Sequence, residues 1–383
     1  MKLEFFTNMM EENLIPDIFG AVHYLGHRYE NPEHQNSRRQ FNYYSFRLVP
    51  GYMELDMVPS DSNFKKVIPQ INWGYAINLS DISSIDTYLE KQFKSKYRSI
   101  IRRYVNRLEH CFDISYQLYY GEIDPEVYHS IMDSLRGMIT ERFGQRQEIH
   151  KDLKRWDILV EETFKKISKK RASLFVIYDR KHPIQISLNY HFDKILFSAI
   201  SSYDVSYSKF GLGHVEIYKQ LQWCISNNLC LYEMGVGGMD YKRRWSNTIY
   251  QYQHYVVYPK KRFVAKLLAS AEIKRVALKE YLKSKKVNEL VARTKAVLMP
   301  KQDSKTVAMP SYQFSNIALH RAPTDSQLID VSLKENGFLK KYLYDFLYLN
   351  VEHVSDVSIF ASAENEGYIF TGKSCSQLLA PTK

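Results

Sequence analysis

Long apolar runs are missing from this 383-residue chain. Crossing a bilayer as a helix takes about 20 consecutive apolar residues, and no stretch approaches that length. Residues 1–13 carry Lys2, Glu4, Glu11 and Glu12 and lack an apolar segment of signal-peptide length, so a cytoplasmic location is expected. Cysteine is scarce. Cys111, Cys224, Cys230 and Cys375 are scattered, with no close metal-ligand pairs, which suits a reducing compartment and at least two buried free thiols. His23 and His27 stand four apart, but the intervening Tyr24-Leu25-Gly26 is not a metalloprotease pattern, and no metal is expected. Internal repeats and low-complexity tracts are also lacking.

What remains is a globular composition, 45% hydrophobic and 25% charged. The length suits two domains with an appendage. A net charge of +11 favours anionic partners, among them nucleic acid, membrane surfaces and phosphorylated cofactors, without choosing between them.

Four segments follow from the pattern: 1–83, 84–259, 260–299 and 300–383. In the first, Tyr43–Val49 and Tyr52–Val58 flank the turn signal Pro50-Gly51 and read as strand, turn, strand. A long helix is expected over Ser84–His110, because Phe93, Tyr97, Ile100, Ile101, Tyr104, Val105 and Leu108 recur at helical spacing. Its other face carries Lys91, Lys94, Lys96, Arg98, Arg102, Arg103 and Arg107. A strand over Phe112–Tyr120 and a helix over Pro125–Phe143 come next. Leu174–Asp179 and Ile184–Phe192 then form a meander, the second strand placing Gln185, Ser187, Asn189 and His191 together on a polar face. Beyond Pro259 the chain turns basic and helical to about Ala296. A polar stretch over Pro300–Gln313 reads as a linker, and the tail carries a helix near Leu339–Leu349 and a hairpin of Val357–Ala361 with Tyr368–Thr371.

The most informative stretch is Lys194–Gly238. Ile195–Tyr203 alternates as a strand, Ser208-Lys209-Phe210-Gly211-Leu212-Gly213 follows, and His214–Asn228 places Ile217, Leu221, Cys224 and Ile225 on one helical face. Leu229–Met234 is a second strand. A glycine turn opening a helix after a strand presents free N–H groups and the positive end of the helix dipole to one spot, which suits a phosphate or pyrophosphate. Glycines in such a place also serve simply to make a tight connection.

Three strands, a glycine turn, a helix and a further strand resemble the core of the GNAT acetyltransferase superfamily. The turn matches that superfamily's Arg/Gln-x-x-Gly-x-Gly/Ala loop at Gly211 and Gly213 and departs from it at Ser208. Lys94-Ser95-Lys96-Tyr97-Arg98-Ser99-Ile100-Ile101-Arg102-Arg103 is similar to the basic opening of the FemAB-like branch, also seen in BioF-like and cellulose-biosynthesis-associated acyltransferases. Tyr232-Glu233-Met234-Gly235-Val236-Gly237-Gly238 with Tyr241-Lys242-Arg243-Arg244-Trp245 is similar to that branch's strand, glycine pair and Tyr-Lys signature. The resemblance covers Leu89–Tyr258. It implies an α+β GNAT fold, with a mixed, mostly antiparallel sheet flanked by helices, a degenerate GNAT-like unit in residues 1–83 making a tandem pair, and a small C-terminal appendage.

The resemblance further implies acyl transfer from acyl-CoA, acetyl or longer, to an amine on a sugar, amino acid or bacterial cell-envelope precursor. Lys209, Phe210, Gly211, Leu212, Gly213 and His214 would hold the pyrophosphate, the two glycines adopting positive φ and Lys209 and His214 adding charge. Glu233 would take the proton and Tyr241 would protonate the thiolate, with Asn189 and His191 lining the cleft. Lys242, Arg243 and Arg244 would contact anionic substrate, since cations opening a helix would oppose its dipole; Trp245 would pack under the loop. The blander readings are a turn lysine, a packing tyrosine and the wet face of an antiparallel sheet. Two alternatives stay open. One is a FemAB-type ligase taking aminoacyl-tRNA along the basic helix. The other is a binding-only protein on nucleic acid or a membrane surface, with no DNA partner expected.

Overall fold

The computed structural model describes residues 1–36, 41–58, 63–145, 148, 150–237, 239–286, 312–317, 327–362 and 367–382. The 287–299 part of the expected basic segment, and all of the polar stretch but its last two residues, lie outside them.

The expected α+β architecture is present, built on a nine-stranded sheet. At one end lie β1 (Lys2–Glu4) and β4 (Tyr44–Val49), then β12 (Thr248–Pro259), β6 (Asn63–Asn78) and β11 (Leu231–Val236). The order continues through β10 (Ile195–Tyr203), β9 (His182–Phe192), β8 (Ala172–Asp179) and β7 (Ile114–Tyr119). Only β1–β4 and β10–β11 pair in parallel; the other neighbours are antiparallel. The strand–turn–strand around Pro50-Gly51 forms as two strands that do not pair with each other. β4 enters the large sheet, while β5 (Met53–Met57) pairs with β2 (Phe19–Tyr24) in a three-stranded sheet with β3 (His27–Glu30).

The single helix expected over residues 84–110 is two: α2 (Ile85–Gln92) and α3 (Ser95–Cys111). Phe93 and Lys94 are extended between them (ψ 145 and 153). The break has a packing cause. It drops Phe93 into an aromatic nest, edge-on to the Trp245 ring at 5.1 Å, while Gln92 Nε2 donates to the carbonyls of Arg244 and Ser246. Helical periodicity continues across the break, which is why the pattern alone does not reveal it.

α4 (Pro125–Gly144) begins where expected, with Asp124 accepting from the N–H groups of Glu126 and Val127 and Pro125 at its first position. α6 (Leu212–Ser226) packs on β10 and β11, with Glu216 reaching over to β9. Beneath it the polar face of β9 is neither wet nor open: Gln185, Ser187 and Asn189 are fully buried and His191 nearly so. The helix meets this stripe through Glu216, which accepts from Ser187, while Gln185 Nε2 donates to Ser187 Oγ and Asn189 Nδ2 to Ser173 Oγ; Gln185 Oε1 and Asn189 Oδ1 are left without a partner among the described residues.

At the C-terminal end, β13 (Tyr312–Ile317), β16 (Ser376–Pro381), β15 (Gly367–Thr371) and β14 (Ser358–Ser362) form a four-stranded antiparallel sheet. It carries α9 (Leu339–Asn350), whose Tyr344 and Leu347 share a core with Phe112, Tyr207 and Phe210. This unit is thereby seated directly behind the glycine turn.

Candidate active site

The parallel pair β10–β11 runs in register through Ile195–Leu231, Leu196–Tyr232 and Phe197–Glu233, and there the pairing stops. β10 continues to Tyr203 along β9 with a bulge between Ser198 and Ile200. β11 continues along β6 with its own register shift between Glu233 and Val236. Gly235, at φ +68, makes that shift, and a Cβ there would lie 3.1 Å from the Phe197 ring. The two strands therefore open into a wedge.

A cavity of about 400 Å³ fills the wedge. Ser198, Ile200, Ser201 and Tyr203 of β10 line one side, and Tyr232 and Met234 of β11 the other. Gly211–His214 and Glu216 lie at the start of α6, Arg142 comes from α4, and Tyr241 and Lys242 come from the short helix α7 (Asp240–Trp245). Of the residues expected from sequence, Gly211, Leu212, Gly213, His214, Tyr241 and Lys242 are thus gathered at one place.

The glycine turn is formed by a 3-10 turn over Val205–Phe210 and by Gly211, whose φ of 62 sets up the helix. Gly211 alone needs the left-handed region; Gly213 does not adopt positive φ, and a Cβ there would meet open space. The Gly211 N–H is spent on Ser208 O, and the N–H groups of His214 and Val215 on Gly211 O. Among the described residues this leaves the Leu212 and Gly213 N–H groups open at the helix start, where the dipole is positive. These two donors beside a cavity suit an anionic group such as a phosphate.

Neither predicted charge beside the turn serves it. The Lys209 ammonium pairs with Asp345 of α9 at 3.5 Å. His214 accepts the Trp245 Nε1–H at Nδ1 (2.9 Å), and burial pushes its pKa down to about 4, so its ring is neutral. Phe210 is fully buried against Phe112 and Tyr348.

Alternation along β11 sends Tyr232 and Met234 to the cavity and Glu233 through to the opposite face. There Glu233 is fully buried and accepts from the Tyr52 hydroxyl (2.9 Å) and the Gly235 N–H (2.7 Å). Burial raises its pKa to about 7. Asn189 and His191 also lie outside the cavity wall. His191 bonds Ser173 Oγ at 2.8 Å, and burial takes its pKa down to about 3. Arg243 and Arg244 are exposed, Arg244 lying over the Tyr97 ring, and the basic trio occupies the last turn of α7, where the dipole favours cations.

The carboxylate within the cavity wall is Glu216, which the sequence reading passed over as one polar position in an amphipathic helix. It is 5% exposed and receives the Ser187 hydroxyl, the Ser201 hydroxyl at 2.7 Å and Gln220 Nε2 at 3.0 Å. Burial raises its pKa. The Tyr241 hydroxyl, raised to about 12 by burial, stays protonated. Lys242 Nζ donates to Met234 O at 2.6 Å, and burial lowers its pKa.

Residues 95–243 match a family model described as an acetyltransferase (GNAT) domain. The matched stretch runs from the first residue of α3 into α7 and so contains the whole wedge. Two solved structures are similar to this chain at low identity. One is a conserved protein of unknown function from Bacteroides thetaiotaomicron VPI-5482 (12% identity, 57% of this chain and 70% of that one, TM-score 0.38). The other is FemX (11% identity, 51% of this chain and 64% of that one, TM-score 0.37). No curated protein matches. Over residues 95–243 the α+β fold is of the GNAT type, and the matched domain supports acyl-group transfer as the general chemistry.

Proposed function

We propose that this protein is an N-acyltransferase of the FemAB-like branch, moving an acyl group from acyl-CoA to the amine of a sugar, amino acid or cell-envelope precursor. One observation carries the reading: the open Leu212 and Gly213 N–H groups adjoin the same cavity that holds Glu216, Tyr241 and Lys242. The donor supplies an activated thioester carbonyl, and Leu212 and Gly213 bind its phosphates.

Transfer forms an N–C bond and breaks a C–S bond, so one proton must leave the amine and one must reach the sulfur. Glu216 takes the first, burial having raised its affinity for a proton. Tyr241 gives the second. The Lys242 ammonium, anchored on Met234 O, stabilises negative charge developing on the carbonyl oxygen. Glu233 acts from the far face, holding the Gly235 N–H and with it the bend that opens the wedge.

Calorimetric titration with acetyl-CoA and a long-chain acyl-CoA tests the donor. Saturable binding that weakens at least about tenfold in Gly213→Val supports the phosphate assignment. Absence of binding, with tRNA retained in a salt-sensitive way, moves the donor to aminoacyl-tRNA. Glu216→Gln and Tyr241→Phe are expected to keep donor affinity while turnover falls about 100-fold. Full turnover in Glu216→Gln removes it as the base.

A further inference from the structure

α8 (Phe263–Ser284) is packed the wrong way round for an ordinary surface helix. Its inward face is small and acidic: Ala265, Ala269, Val276, Glu272 and Glu280 are buried. Glu272 accepts from Lys2 (2.9 Å), Arg275 (2.6 Å) and Ser45 (3.0 Å), and Glu280 from the Ile71 N–H (2.7 Å) and Lys283 (2.9 Å). The large apolar side chains point out. Phe263 is 80% exposed, Leu267 62%, Leu278 58% and Tyr281 58%. At 3.6 residues per turn these four fall on one stripe opposite the buried alanines, along a helix about 33 Å long.

Both carboxylates of α8 are turned inward and paired, so its outer surface carries positive charge only. Lys261, Lys266, Lys274, Lys279, Lys285 and Lys286 are all exposed. A second copy docked on this face would set lysines against lysines, and a nucleic acid would leave the apolar stripe unsatisfied. We infer that α8 is a docking surface for an anionic lipid bilayer. Its stripe enters the boundary between headgroups and acyl chains, and its lysines meet the negative headgroups. The surface is independent of the wedge and of the activity proposed for it.

Co-sedimentation of the full chain with vesicles tests this, using equal parts phosphatidylglycerol and phosphatidylcholine against phosphatidylcholine alone. Retention on the anionic vesicles only, released by added salt, is expected. Leu267→Ser combined with Leu278→Ser removes exposed apolar groups that hold nothing in the fold. It should lower the vesicle partition coefficient about tenfold or more. Lys266→Glu combined with Lys274→Glu should lower it similarly. Absence of retention overturns the inference, as does retention that ignores lipid charge or both double substitutions. Concentration-dependent dimerisation lost in the leucine variant would assign the face to a second copy and also overturn it.

Discussion

Trp245 donates its indole N–H to Nδ1 of His214 at 2.9 Å, while the imidazole lies flat on Tyr104 with ring centroids 5.6 Å apart. The bond makes Nδ1 the acceptor, and protonating it would break the bond and bury a charge. A histidine that looks in sequence like a cationic phosphate contact is therefore a neutral brace between the glycine turn and α7.

The first prediction concerns that neutrality. His214 and His191 should show no titration of their ring C–H resonances between pH 8 and 6, since burial holds their pKa values near 4 and 3. The unfolded chain binds these protons first, so both groups withdraw stability as pH falls below about 6.5. A resonance titrating near 6.5 would contradict the brace.

Glu233 works with the opposite sign. Its pKa is raised from 4.5 to about 7, so the folded state holds a proton that the unfolded state has lost. The associated stability is complete below pH 4.5 and disappears as pH rises through 7. Glu233→Gln, which cannot ionise, should therefore gain on wild type by up to about 3 kcal/mol between pH 4.5 and 8. Urea unfolding at the two pH values measures it, and an unchanged difference would refute the buried, titrating carboxyl.

The two glycines of the turn should separate cleanly. Gly211→Ala forces a Cβ into positive φ and to 2.8 Å from the Tyr104 ring, and should cost about 1–3 kcal/mol. Gly213→Ala meets open space in a helix and should leave stability unchanged or slightly higher. Thermal melts of the pair decide whether both glycines are structural or only the first.

Lys209 is expected to be silent in donor binding. Its ammonium pairs with Asp345, and at 43% exposure the pair contributes at most about 1 kcal/mol. Lys209→Ala should change acyl-CoA affinity less than about twofold. A tenfold loss by titration would return it to the phosphate site.

Much of the framework was legible because local rules govern it. The strand–turn–helix–strand run from Ile195 to Met234, the helix opening at Pro125, and the tail hairpin all follow from periodicity and turn chemistry. The candidate site was half legible. Gly211, Gly213, Tyr241 and Lys242 were found because they sit in a motif with fixed spacing. Glu216 was missed because one carboxylate on an amphipathic helix has no signal until β9 and β10 place Ser187 and Ser201 against it.

The sequence by itself determined the order of elements, the glycine turn and the charge balance, since each depends on neighbours a few residues apart. Tertiary structure alone decided where α2 ends, through the nest that takes Phe93, and which carboxylate meets the cavity. Strand alternation is read from sequence only as two unlabelled faces. The packing of α6 on one face and of Tyr52, Tyr250 and Tyr252 on the other labels them, giving the wedge to Glu216 and burying Glu233 behind it.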